Sequence, residues 1–411
     1  MPILFQINVS LNTGSIGRIV EDIGAVAQSQ GWDVWVAHGP RYVNNSSLKT
    51  YQICSRGEEL LHVVQTRLLD GYGLGCTLAT RRLVEKIEEI KPDVIHLHNI
   101  HGYYLDIRVL FSFLKKANIP VVWSIHDCWS FTGHCAHFDV VGCQRWKVGC
   151  YDCPRKRKFP QSYLLERSQR NYELKKALFT SVPNLTLVPV SNWLKGLLED
   201  SFFYNCSNVE MKTIYNGANL SSFSPCGNDL NIQTQKKYGI EGKFVAIALA
   251  SKWGNEKGWS DYLRLSQILP NDMMVILVGV SKEQKRMLPQ NIIGVERTDS
   301  IQELVTLYSM SDVLLSLSIL ETFGLTVVEG YACGIPAIVY DRTASPEMVS
   351  EDTGYVVSAG NVYEVVDCMR KIQSKGRYFY RDKCRKKAEQ QFNVVKQYQM
   401  FVDLYCKKIA L

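Results

Sequence analysis

The sequence has no histidine beyond His137, although eight occur up to that point. Nothing downstream of it offers an imidazole as a base or a metal ligand. No apolar run reaches the ~18 residues that a bilayer-spanning helix needs. Residues 1–10 lack a basic n-region and a small-residue cleavage site. A signal peptide is therefore not expected there, and a first buried strand is. No Asp-x-Asp triplet stands at a strand end, and no strand-to-helix turn carries the full G-x-G-x-x-G fingerprint. The missing fingerprint argues against an NAD dehydrogenase. Internal repeats and low-complexity tracts are also missing, which excludes solenoids and long linkers.

The chain does have size and an ordinary globular balance. At 411 residues, 46% hydrophobic and 21% charged, it fits two or three domains and is no collagen, coiled-coil rod or disordered chain. Lys+Arg number 47 against 40 for Asp+Glu, a net +7. That mild excess suits an anionic small ligand or a membrane surface, and no nucleic-acid partner is expected. The 13 cysteines are odd in number and come without an export signal, which points to a reducing, cytoplasmic setting with mostly free thiols.

Short apolar, β-branched runs alternate with amphipathic segments along the whole chain. This is the pattern of parallel strands covered by helices on both faces. The expected architecture is α/β, with two doubly wound domains. Boundaries are expected at 1–190 and 191–375, with closing helices over 376–411. The least regular stretch, 126–160, holds a cysteine cluster and ends in Arg155-Lys156-Arg157-Lys158. An irregular segment of that length is either functional or held by something other than a core.

Three strand-to-helix turns carry chemistry. Asn12 to Arg18 includes Gly14 and Gly17, which let backbone approach a ligand at a helix start, or simply make a tight turn. Lys252 and Lys257, followed by Gly258, can converge on one anion at the carboxyl end of a strand, where α/β sheets bind ligands. The alternative is a pair of solvated lysines. Glu321, Phe323, Gly324, Leu325, Thr326 and Glu329 lead from a strand into a helix whose first N–H groups can hold a phosphate. Eight residues of helix rise ~12 Å, more than the ~5–10 Å that separates a hydrolase pair. Glu321 and Glu329 therefore suit different ends of an elongated ligand. A helix-surface charge is the alternative for Glu329.

The ordered set Lys252, Lys257-Gly258, Glu321-x-Phe323-Gly324 and Glu329 resembles the retaining glycosyltransferases of family 4, of GT-B fold, of the kind that builds bacterial surface polysaccharides. Ile214 to Asn219, the turn Cys333-Gly334-Ile335-Pro336-Ala337 and the element Ser124-Ile125-His126-Asp127 agree with it. The resemblance covers nearly the whole chain. It implies two Rossmann-like domains facing a cleft. A UDP- or GDP-sugar donor and a saccharide acceptor, expected to be lipid-linked, follow, with transfer at retained configuration. Glu329 would accept from the ribose, and Lys252 and Lys257 would neutralise the diphosphate. Backbone at Gly324, Leu325 and Thr326 would complete that site. Glu321, with backbone at Phe323-Gly324, would hold the sugar. His126 would lie near the anomeric carbon, and Gly14 and Gly17 beside the diphosphate. No metal is required, because lysines can stabilise the leaving group. Four departures stand out. Lys252 replaces the usual arginine and loses its bidentate fork. Asn219 and Gly330 replace frequent aspartate and alanine, and the paired N-terminal glycines are absent. A nucleotide-sugar epimerase and a non-catalytic nucleotide-sugar binder of the same fold are the rivals.

Cys135, Cys143, Cys150 and Cys153 offer four thiolates closing in a C-x2-C, half of a zinc knuckle, so one structural zinc is expected there. Cys128, His134 and His137 are spare ligands. Packed free thiols or a disulfide are the alternatives. The run 155–158, with Lys175 and Lys176, is expected to rest peripherally on the anionic inner face of the plasma membrane, or else to be solvated.

Overall fold

The computed structural model describes residues 1–204 and 206–410. They form two compact units, 1–215 with 398–410, and 216–397. The first holds a 7-stranded sheet in the order β3-β2-β1-β4-β5-β6-β7. Its strands are β1 Ile3–Asn8, β2 Asp33–His38, β3 Lys49–Gln52, β4 Val94–Leu97, β5 Val121–Ile125, β6 Leu185–Pro189 and β7 Val209–Met211. The second holds a 6-stranded sheet in the order β10-β9-β8-β11-β12-β13. Here β8 is Phe244–Leu249, β9 Met273–Val278, β10 Ile292–Val295, β11 Val313–Ser316, β12 Ala337–Tyr340 and β13 Gly354–Val357. Every strand pair is parallel. Strands β4, β5, β6, β11 and β12 are buried along their whole length, as their mainly apolar sequences require of strands covered on both faces.

Each strand order reverses once, between β1 and β4 and between β8 and β11. At such a switch point, loops leaving neighbouring strands diverge and open a crevice at the carboxyl edge. The expected fold class holds. The expected boundary at 190 does not match this division. Strand β7 pairs with β6, which carries the first sheet on to Met211, and the break falls between Tyr215 and Asn216. The last helices do not form one closing group either. The helix Arg377–Gln391 lies in the second unit, while Val394–Ile409 belongs to the first from Tyr398 onward. Tyr405 fixes it there, its hydroxyl sharing a 2.6 Å hydrogen bond with Nδ1 of His96 in the centre of the first sheet.

Candidate functional site

In the second unit the loops after β8 and β11 meet at the switch point. Buried Trp253 anchors the first loop by donating its indole N–H to the Val278 carbonyl at 3.0 Å. A short 3-10 turn, Asn255–Lys257, follows and ends at Gly258, whose φ is 77°. A Cβ there would stand 2.3 Å from the Leu317 carbonyl oxygen, so only glycine lets the two loops touch. Ile319 donates its N–H to the Glu256 carbonyl at 3.1 Å and locks the contact. Lys257 Nζ then reaches Glu321 Oε1 at 2.5 Å. The two side chains are 34% and 19% exposed, so the pair faces solvent and a ligand anion could displace the carboxylate. Lys252 is exposed on the same loop.

Glu321 is held from behind, its N–H donating to Thr343 Oγ1 at 2.9 Å. Phe323 is core, its ring 6.0 Å from that of Phe392. Gly324, at φ 112°, starts the helix Leu325–Ala332. Glu329, within it, accepts a hydrogen bond from the buried Tyr308 hydroxyl at 2.9 Å. Burial and this carboxylate push the Tyr308 hydroxyl well above its usual pKa, so it stays a donor that orients Glu329. Neither Tyr308 nor Thr343 is legible from spacing. They reach the site from the helix Ile301–Met310 and the turn after β12. Lys257, Glu321, Gly324 and Glu329 thus come from two neighbouring loops and one helix.

In the first unit, Gly14 and Gly17 open the helix Gly14–Ser29 after β1. Gly14 has open space around it, at φ 66°. Gly17 is a packing glycine, since a Cβ there would press on Ser10 Oγ at 2.9 Å. The loops after β4 and β5 bring histidines together. His98 and His126 stack with centroids 5.7 Å apart, and His101 Nε2 meets Asp127 Oδ2 at 2.7 Å. Burial lowers the His126 pKa to about 4, with Asp127 offsetting part of that effect. His126 is therefore a neutral imidazole at pH 7, suited to hydrogen bonding a hydroxyl rather than an anion. Burial opposes ionisation of Asp127 as well, but the charge and hydrogen bond of His101 carry its carboxyl well below the usual range.

The segment 126–160 has a core of its own. Trp146 packs 5.2 Å from Phe131 and 4.8 Å from Phe138, all three buried. His134 and Asp70 pair at 2.5 Å, tying the segment to the end of the helix Arg56–Leu69. The four cysteines line one cavity of about 10 Å³, room for a single small occupant. The Cys135 thiol donates to Cys153, which raises the former and lowers the latter toward thiolate. Among the described residues the cysteines are free thiols, and no three or more His, Cys, Asp or Glu side chains stand already grouped around a metal position. Lys175 is not on the surface. Its ammonium sits 3.5 Å over the Trp129 ring and donates to the Trp129 and Thr132 carbonyls at 2.8 Å each. The expected lipid contact at Lys175 is thereby corrected: the charge closes two backbone carbonyls inside the fold.

Known proteins share this architecture. Residues 16–222 match the family described as Glycosyltransferase Family 4, and residues 232–391 match Glycosyl transferases group 1. A putative colanic acid biosynthesis glycosyl transferase, WcaC of Escherichia coli K12, is 24% identical over 67% of this chain and 66% of its own length. A protein from the cps region of Klebsiella pneumoniae is 22% identical over 88% of this chain and 93% of its own. Among solved structures, HepE of Anabaena with UDP gives a TM-score of 0.69 at 15% identity, covering 99% of this chain and 100% of that one. Sucrose-phosphate synthase of Thermosynechococcus elongatus gives 0.68 at 16%, covering 100% of both. These likenesses place the fold in the GT-B class.

Proposed function

The chain belongs to the glycosyltransferases of family 4, and from that premise we propose that it moves a sugar from a nucleotide donor to a saccharide acceptor in surface-polysaccharide biosynthesis. Transfer proceeds with retention, on a lipid-linked acceptor, in the cytoplasm. The observation that carries the proposal is the Lys257–Glu321 pair beside Gly324 and the Tyr308-oriented Glu329, at the switch point of the second sheet. A donor diphosphate takes Lys257 and Lys252, with the first turn of Leu325–Ala332 behind it. The freed Glu321 turns to the sugar hydroxyls, and Glu329 takes the ribose. Charge on the departing diphosphate is held by fixed cations and N–H groups, so a divalent ion is not needed. The neutral His126 of the first unit hydrogen bonds the acceptor side.

UDP is the favoured nucleotide, supported by the UDP bound to the HepE neighbour, with GDP the alternative. Purified protein is to be incubated with UDP- and GDP-sugars, with and without a saccharide acceptor, in excess EDTA. The expected result is acceptor-dependent release of nucleotide, with a product anomer matching the donor's by NMR. Donor isomerisation without acceptor would make the protein an epimerase. Binding without turnover would make it a non-catalytic binder. A bound donor at 100 times its Kd adds about 2.7 kcal/mol of stability, which a thermal shift reads directly. A structural zinc at Cys135, Cys143, Cys150 and Cys153 is proposed from spacing and their shared cavity alone, and no step of transfer runs through it.

A further inference from the structure

Two cysteines outside the cluster at 135–153 stand at the ends of one segment of the first unit. Cys54 follows β3 and precedes Ser55, which caps the helix Arg56–Leu69 by accepting from the Glu58 N–H. Cys76, in the left-handed region at φ 57°, precedes the helix Thr77–Ile90. The fold brings Cys76 back onto the first turn of the helix that Cys54 precedes. Its sulfur lies 3.5 Å from the Glu58 carbonyl and 3.3 Å from the Tyr103 carbonyl. Cys54 is buried and Cys76 half-buried. The Cys54 thiol donates to the Cys76 sulfur, which raises Cys54 and lowers Cys76. The two carbonyls oppose that lowering, because each favours a proton on the Cys76 sulfur.

A base stands beside the pair. His62 is buried, and its Nε2 meets the Gly71 carbonyl at 3.1 Å. A carbonyl can only accept, so Nε2 carries the proton and Nδ1 a lone pair. That Nδ1 is buried without a hydrogen-bond partner among the described residues. The ring lies against Gly75, next to Cys76: a Cβ on Gly75 would stand 2.9 Å from Nδ1 and 2.4 Å from Cγ. The start of the helix at Thr77 adds unpaired N–H groups, which favour negative charge on a sulfur placed there. A nucleophile, an unsatisfied base and a second thiol thus share one place, and the proposed donor site uses none of them.

We propose that Cys54 and Cys76, with His62 as base, are a peroxide-sensitive thiol pair that closes to a disulfide and reshapes the cavity beside them. His62 Nδ1 takes the proton of the Cys76 thiol. The thiolate attacks one oxygen of hydrogen peroxide, the O–O bond breaks, and the departing hydroxide leaves as water with the proton from His62. Cys76 is then a sulfenic acid. The Cys54 sulfur attacks it, the S–O bond breaks, and hydroxide leaves with the Cys54 proton as a second water. Two thiols lose two electrons and one peroxide gains them. The consequence lies at Tyr103. The Cys76 sulfur leaves its carbonyl, and the closed segment 54–76 carries Glu59 and Tyr72. These three residues line one cavity of about 320 Å³ with His101, the partner of Asp127. Oxidation therefore acts on the acceptor side of the proposed transferase, and this last step alone rests on that reading.

The test treats the reduced full chain with hydrogen peroxide, without donor or acceptor, and maps its cysteines by mass spectrometry under non-reducing conditions. The exposed Cys406 is the internal comparison. Cys76 is expected to oxidise at least about tenfold faster than Cys406, giving a peptide linked through Cys54 that dithiothreitol releases. Cys54→Ser should stop at a Cys76 sulfenic acid, which dimedone labels. His62→Gln keeps an N–H for the Gly71 carbonyl, loses the base and should slow oxidation about tenfold or more. If that variant fails to fold, Cys54→Ser still decides. Cys76 reacting no faster than Cys406, or a Cys76 linked to any cysteine but Cys54, overturns the proposal. In transfer assays the oxidised protein should lose acceptor kcat/KM several-fold with donor Kd unchanged, and Cys76→Ser treated alike should not. A linked pair with transfer unaltered would overturn the coupling to the cavity. Because the linkage is read without substrates, it stands if the transferase reading falls, and transfer by the reduced protein upholds that reading if no linkage forms.

Discussion

The two units share an architecture and differ in chemistry. Both are doubly wound parallel sheets whose order reverses once. The first holds all eight histidines and builds a buried polar centre from them. His96 shares a 2.8 Å hydrogen bond with Ser124, and His98 a 3.2 Å one with Gln6. The second has no histidine and places a Lys–Glu pair and a tyrosine-oriented glutamate at the same position in its topology. The switch point supplies only a crevice. What occupies it decides whether an anion or a neutral hydroxyl is held.

The largest effect expected from this contrast is a split in kinetics. Lys257→Ala and Glu329→Gln should cost about 100-fold or more in turnover through donor binding or leaving-group stabilisation, as removal of one preorganised charge partner does. His126→Ala should lower kcat with donor Kd within about twofold, because it removes no group facing the diphosphate. Calorimetric donor affinities beside steady-state rates check both. If His126→Ala weakens donor binding as much as Lys257→Ala does, the division of labour fails.

A smaller effect is unequal acid sensitivity. Burial lowers His96 and His98 well below 6.5 and His126 to about 4. As pH falls from about 6.5 toward 4 the unfolded chain takes up protons that these imidazoles refuse, so the first unit loses stability. Each such group contributes at most about 1.4 kcal/mol per pH unit. Burial raises Asp22 to about 6 and raises Asp139 too, and Asp70 raises His134 against its burial; these three work the other way, against His96, His98, His126 and His38, which burial also lowers. In the second unit burial raises the Asp312 carboxyl, so acid favours its folded form. Hydrogen exchange at pH 7 and pH 5, corrected for intrinsic rates, should show protection lost in β1, β4 and β5 and kept in β8 and β11. Equal loss in both sheets would remove the histidine explanation.

The smallest effect concerns the cysteine cavity. One zinc per chain, by elemental analysis of protein purified without chelator, is the outcome the spacing predicts. Cys150→Ser/Cys153→Ser should then release it and expose the chain to protease near Arg155, while donor affinity in the second unit holds. Zinc near zero, with the four thiols titrating freely, would leave the segment to its Phe131–Phe138–Trp146 core.

Most of the fold was legible because buried parallel strands are mainly apolar and β-branched. The runs before Asn12, Ser251 and Glu321 are β1, β8 and β11, and the turns that follow them are the candidate sites. The residues proposed for the donor were legible as an ordered set, and the fold brings them onto two neighbouring loops and one helix. The boundary at 190 was misplaced because β7, three residues of mixed polarity, carries no strand signal. The segment 126–160 was expected to be either functional or held by something other than a core; its core was not legible because Phe131, Phe138 and Trp146 meet only through its turns.

By itself the sequence determined the class of fold and the family, and it named the residues proposed for the second crevice, because periodicity and short motifs are local. Only the tertiary structure decided what faces inward where local pattern points elsewhere. Lys175 is buried because two carbonyls and the Trp129 ring take its charge. Leu60, Leu61 and Leu68 are outside because Glu59 and His62 on the same helix find partners within. Those partners, Arg41 and Gly71, lie on other elements. A hydrophobic pattern gives a helix two faces, but the side chains waiting across the gap choose which face turns in.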